Sequence, residues 1–109
     1  MLFRVFEYSK NQHEAKLIFE HIISEIQNSI ISKEYKKIEP YWKVEGIHIV
    51  EVLIKLDKSF NKNQHEEFLR SISDKWISYG DPVNEIIASE TTEGCNYIKK
   101  DVSMINIFY

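Results

Sequence analysis

Two histidines in this chain stand where zinc chemistry would begin. His13-Glu14 and His65-Glu66 each open like the zinc-protease helix, in which a second histidine four residues after the first brings both imidazoles to one metal. Those second positions hold Leu17 and Leu69, so neither pair can close a site. His21 with Glu25 and His48 near Glu51 offer no third ligand at a usable spacing, and no metal is expected. The one cysteine, Cys95 in Glu93-Gly94-Cys95-Asn96, has acidic or neutral neighbours where a reactive thiolate needs cationic ones, so it reads as a loop thiol. With only Gly46, Gly80 and Gly94 there is no glycine-rich phosphate cradle and no nucleophile elbow, and no cofactor is expected. Glu85 could meet Glu90 or Glu93 as a carboxylate pair, but among seventeen acids a solvated face explains such meetings as well.

Recognition chemistry is better represented than catalysis. Tyr35, Tyr41 and Trp42 flank Pro40 in a segment that also carries Lys36, Lys37, Glu39 and Lys43, and Tyr and Trp supply large contact area at interfaces. Trp42 is expected to pack against the helices as part of an edge strand, and Tyr41, on the opposite phase, to be exposed. From Asp81 to Asp101 the acids Asp81, Glu85, Glu90, Glu93 and Asp101 outnumber the bases Lys99 and Lys100. An acidic rim of that kind steers a cationic partner and equally serves solubility. Tyr41, Glu85, Glu90, Glu93, Tyr97 and Asp101 are therefore the expected partner-binding residues.

The elements that would position them follow from periodicity. Leu2 to Tyr8 is apolar on both alternating faces and reads as an interior strand. Ser9 and Gln12 have capping-box spacing, and Ala15, Ile18, Phe19, Ile22, Ile23, Ile26 and Ile30 form a helical stripe of about five turns. Lys36 to Leu56 reads as a hairpin reversing near Glu45-Gly46, with His48, Val50, Val52, Ile54 and Leu56 facing the helices. Asn61 and Gln64 repeat the cap spacing with Phe60 as a staple, and Phe68, Leu69, Ile72, Trp76 and Tyr79 form a second helical stripe closed by Gly80 and Pro82. Val83 to Glu90 reads as a strand, Thr91 to Asp101 as a loop, and Val102 to Tyr109 as a last strand. Lys10-Asn11-Gln12-His13-Glu14 recurs as Lys62-Asn63-Gln64-His65-Glu66, yet the apolar phases that follow do not match, so the echo stops at the helix starts. The expected fold is α+β: a ferredoxin-like βαββαβ sandwich with an extra C-terminal strand, two helices on one face of an antiparallel sheet, over the single domain 1-109.

Charge and composition narrow the function class. Residues 1 to 58 carry nine basic and nine acidic groups, residues 59 to 109 five and eight, so the whole net charge of −3 is C-terminal. Without a basic cluster, nucleic-acid binding is not expected, whereas a basic protein partner is compatible. Disulfides cannot form within a chain holding one cysteine, and no basic segment precedes a long apolar run, so a cytoplasmic protein without membrane insertion is expected.

This profile, a small acid-leaning α/β chain rich in Ile, Lys and Asn with aromatics beside carboxylates and no catalytic signature, resembles bacterial immunity proteins of contact-dependent growth inhibition and related polymorphic toxin systems. The likeness is in profile over the whole chain and in no motif, so no family residue carries over. The resemblance implies a non-enzymatic protein that binds its cognate toxin domain, often a nuclease, and blocks the active site or substrate path. The residues themselves reach a non-enzymatic binding module, monomeric or a weak homodimer, with the C-terminal run Ile105 to Tyr109 as a conceivable self-associating edge. The alternative is a small ferredoxin-like enzyme or small-molecule binder using His48 or a carboxylate as acid or base; an open pocket with convergent polar groups and shifted titration would favour it, a flat acidic surface the binding module.

Overall fold

The first strand of the chain becomes a central strand of its sheet. The computed structural model describes all residues from Met1 to Tyr109, in the order β1 (Leu2–Tyr8), α1 (Gln12–Ile23), β2 (Ile30–Pro40), β3 (Ile47–Leu56), α2 (Lys62–Ile72), β4 (Ile77–Tyr79), β5 (Glu85–Ser89) and β6 (Val102–Phe108). The architecture is α+β, two helices with one six-stranded sheet of order β2-β3-β1-β6-β5-β4, and every neighbouring pair is antiparallel.

Alternation decides which face is covered. Phe3 and Val5 on β1 align with Val52 and Val50 on β3 and with Ile107 and Ile105 on β6, and all six are buried. The ring of Phe3 meets Phe19 of α1 edge-on at 6.0 Å and Phe68 of α2 at 6.0 Å, which puts both helices on this one face. Each contact adds about 1 kcal/mol to what burial of the rings already contributes. Residues of the other phase, including Leu2, Arg4, Phe6, Ile49, Leu53, Met104 and Phe108, stay half-buried or exposed, so the opposite face lacks a covering layer. No helix is long and apolar enough to cross a membrane.

Local chemistry explains the boundaries that differ from expectation. The cap of α1 is Asn11, whose side chain accepts the Glu14 N–H at 2.8 Å. Ser9 does not serve, because its hydroxyl is engaged at the end of β1 with His48 Nδ1 at 2.8 Å and the Glu7 carbonyl at 3.3 Å. The helix stops at Ile23, where the polar run Ser24–Ser29 tightens into a 3₁₀ turn that still buries Ile26, and Ile30 opens β2 six residues before the expected start of the hairpin. The second cap is as expected, with the Asn61 side chain accepting the Gln64 N–H at 3.0 Å and Phe60 packed on Phe68.

The sheet has six strands where five were expected, and the C-terminal one lies inside it. Helix α2 ends at Ile72, not at Tyr79, because Ser73 turns extended and the Trp76 indole N–H folds back to donate to the Leu69 and Ser73 carbonyls at 3.0 and 3.2 Å. The following Ile77-Ser78-Tyr79 pairs with Ile87-Ile86-Glu85 to form a β4–β5 hairpin outside β6. Gly80 turns that hairpin at φ +92°, and a Cβ there would come within 2.6 Å of the Asn84 side chain. The last strand, β6, lies between β1 and β5, so Ile105 to Tyr109 offers no free edge for self-association.

Candidate functional site

Two features meet at the end of the sheet where β1 finishes and β3 begins. The first is the uncovered sheet face. Trp42 is 84% exposed, and its ring lies 6.4 Å from Tyr41, which in turn packs edge-on against Phe6 at 5.2 Å. The expectation for this pair is reversed: Tyr41 packs and Trp42 is free. Pro40 ends β2 and the loop carries Trp42 past the sheet edge, beyond reach of the helices. Next to Phe6 on the same strand, the Tyr8 hydroxyl donates to Glu90, which also accepts from the Ser103 hydroxyl. Farther along the face, Arg4 lies over the Phe108 ring at 5.3 Å and 3.6 Å from Glu51, a carboxylate shared with Lys37 at 3.3 Å. Glu85 on β5 accepts from the Asn106 amide at 2.9 Å.

Of the six residues expected to bind a partner, three lie on this face or at its border: Tyr41, Glu85 and Glu90. The other three do not join them. The Tyr97 hydroxyl donates to the Arg70 carbonyl at 2.6 Å, tying its loop to α2. Glu93 is exposed in the same β5–β6 loop, whose Lys99 N–H is held by the Ile72 carbonyl, on the helix side. Asp101 occupies a left-handed turn at φ 69°, where its carbonyl accepts the Tyr8 N–H at 2.8 Å. A separation of twenty residues in sequence spans a strand and a loop that point to opposite layers, so the acidic segment does not make one rim.

The second feature is a polar cluster inside the covered layer. Glu7 continues the phase of Phe3 and Val5, and the register sets it opposite His48. Both residues are buried, as is Ser9. His48 Nδ1 and Ser9 Oγ are 2.8 Å apart, and Ser9 Oγ is 3.3 Å from the Glu7 carbonyl. A serine hydroxyl has one proton: donated to the carbonyl, it leaves Nδ1 protonated and Nε2 a bare acceptor, whereas donated to Nδ1 it leaves the imidazole proton on Nε2. Neither carboxyl oxygen of Glu7 has a hydrogen-bond partner. Burial, reinforced by the negative charge of Asp101, pushes its pKa up to about 9, so Glu7 is a neutral acid at physiological pH. Glu7 and Ser9 were not among the residues singled out from sequence. For Glu7 the signal was present, since it lies two residues after Val5 on a core-facing phase; for Ser9 the capping pattern masked it.

Beside His48 the loop between β2 and β3 and the end of β1 border an open cavity of about 670 Å³, lined by Tyr8, Pro40, Tyr41, Val44 and Ile47, with Lys10, Glu14 and Glu45 also at its rim. Glu7, the carboxyl whose titration is shifted, is not among that lining, so it is not presented to an occupant of the cavity as an acid or base. No three His, Cys, Asp or Glu side chains converge as a metal-ligand set. Cys95 is partly exposed, 3.6 Å from the Ser73 hydroxyl, and has no histidine among its hydrogen-bond partners. Set beside known protein families, curated proteins and solved structures, the chain matches none of them, and no residue role is inherited from a relative.

Proposed function

We propose that the chain is a non-enzymatic protein-binding module of the bacterial cytoplasm, an immunity protein that neutralises a cognate, basic toxin domain by docking it on the uncovered face of the sheet. In this reading β1, α1, β2, β3, α2 and β6 form a ferredoxin-like sandwich, to which the β4–β5 hairpin adds breadth on one side. The observation that carries it is the row Trp42, Tyr41, Phe6 and Tyr8, which leads across the open face to Glu90. Rigid aromatic side chains beside carboxylates provide anchors for a protein partner and complement positive charge. Tyr79, Ile77 and Leu53, each between 38% and 48% exposed, extend the apolar area toward both edges. Isolated exposed apolar residues are ordinary; what sets these apart is that they share one sheet face without a covering layer.

The reading expects the adjacent upstream frame to encode a large secreted protein, and the test is binding to the C-terminal domain of that protein; an upstream frame of another kind removes the immunity reading. The chain is expected to form a stable complex with that domain and suppress its activity, and Phe6→Glu, Tyr41→Ala and Glu90→Lys are each expected to weaken the complex at least tenfold while the variants remain folded. Wild-type affinity in all three variants would remove the sheet face as the binding surface.

A further inference from the structure

We propose that the cavity at the β1–β3 end of the sheet is a binding site for a small primary ammonium compound with an apolar body, whose N–H group donates to His48 Nε2. Tyr8 and Tyr41 border both this cavity and the docking face, but the acceptor His48, on the helix side of β3, belongs to the cavity alone, so the two readings can fail separately.

Three observations carry it. His48 is 93% buried by its 7% exposure, lines the cavity, and makes its one side-chain hydrogen bond through Nδ1 to Ser9 at 2.8 Å. Nε2 has no protein partner, and in the tautomer in which Ser9 donates to the Glu7 carbonyl it presents a lone pair that an occupant's N–H satisfies. Next, the cavity, at about 670 Å³, has room for such a molecule, and Tyr41, Val44 and Ile47 give it apolar walls against which a hydrocarbon or aromatic body loses water. Finally, its charge selects the sign of the ligand: Glu14 and Glu45 against Lys10 leave an excess of one negative charge in the lining, which favours a cation over an anion of the same shape. The loop that borders the cavity is held in place by backbone hydrogen bonds from Ser9 to Gly46 at 3.0 Å and from Tyr41 to Ile47 at 2.8 Å, so the site is largely formed before a ligand arrives.

The probe is phenethylammonium chloride, followed by amide ¹H–¹⁵N spectra of the full chain, with sodium phenylacetate as the anion of similar shape. A ligand of this size in a preformed pocket binds with a Kd of about 1 mM. Saturable shifts are expected at Ser9, Gly46 and His48 with the ammonium compound and at least tenfold weaker response to phenylacetate. His48→Phe keeps an aromatic ring and removes the acceptor, and is expected to lower affinity tenfold or more. Val44→Trp fills the cavity from its 44%-exposed rim without replacing a buried residue, and serves if His48→Phe does not fold. Leu53→Glu, on the sheet face, is expected to leave the titration unchanged, which separates this site from the protein-docking surface. Shifts that grow linearly without saturation, equal responses to both probes, or undiminished binding in Val44→Trp would overturn the proposal.

Discussion

Replacing Glu7 by glutamine is expected to stabilise the fold at neutral pH, by an amount set by the cost of keeping a carboxyl protonated there. The side chain is fully buried without a hydrogen-bond partner for either oxygen, and its pKa rises from 4.5 to about 9 on folding. A carboxyl whose folded pKa is raised contributes its full stability below pH 4.5 and loses it as pH climbs from there through 9, because the unfolded chain releases the proton and the folded chain holds it. At pH 7 the gap of 2.5 units from 4.5 corresponds to about 3 kcal/mol at roughly 1.4 kcal/mol per unit. Glutamine escapes that cost, but buries one more unpaired N–H than the neutral acid, which returns about 1 kcal/mol. The net expectation is about 2 kcal/mol of added stability at pH 7, vanishing or reversing slightly at pH 4.5. Urea unfolding of both proteins at pH 4.5, 6, 7 and 8 measures the difference directly, and its growth with pH is the signature. A difference independent of pH, or a glutamine variant less stable than the parent at pH 8, would refute the assignment of Glu7 as a buried neutral acid.

Other perturbations have equally definite outcomes. Asn11→Ala and Asn61→Ala each remove a side-chain acceptor at a helix start and should cost about 1 kcal/mol in thermal or urea unfolding; being on separate helices, their effects should add in the double variant. Trp76→Phe keeps the ring but loses the indole N–H that caps the Leu69 and Ser73 carbonyls, for an expected loss of about 1 kcal/mol and faster amide exchange at the α2 C-terminus. Trp42→Ala should leave unfolding within about 0.5 kcal/mol of the parent, since the ring is 84% exposed, while weakening the partner complex measured by calorimetry.

What the sequence could reveal depended on whether the governing contact was local. The Asn61–Gln64 cap, the Phe60 staple and the buried face of β3 were legible because their partners lie within a few residues or follow a strict period of two. Strand β4 was hidden because Trp76 and Tyr79 are three residues apart and continue the helical stripe of Phe68, Leu69 and Ile72; only the Trp76 indole turning back on Leu69 shows that the helix is over. The placement of Trp42 and Tyr41 was inverted because alternation was carried past Pro40, where the strand stops. Site residues were harder still. Ser9 and His48 are thirty-nine positions apart, and their hydrogen bond exists only because β1 and β3 pair in one register. Likewise Glu93, Tyr97 and Asp101 were grouped with Glu85 and Glu90 by sequence distance, whereas the structure ties Tyr97 to α2 and Asp101 to the end of β1 and leaves Glu93 exposed in the loop between β5 and β6.

Amide hydrogen exchange of the complex with the toxin domain that this reading proposes as partner tests the central claim most directly. New protection is predicted in segments that contribute to the open face, at Phe6, Tyr8, Tyr41 to Lys43 and Glu90, with helices α1 and α2 exchanging as in the free chain. Protection confined to the outer surfaces of the helices, with the sheet-face segments unchanged, would contradict it.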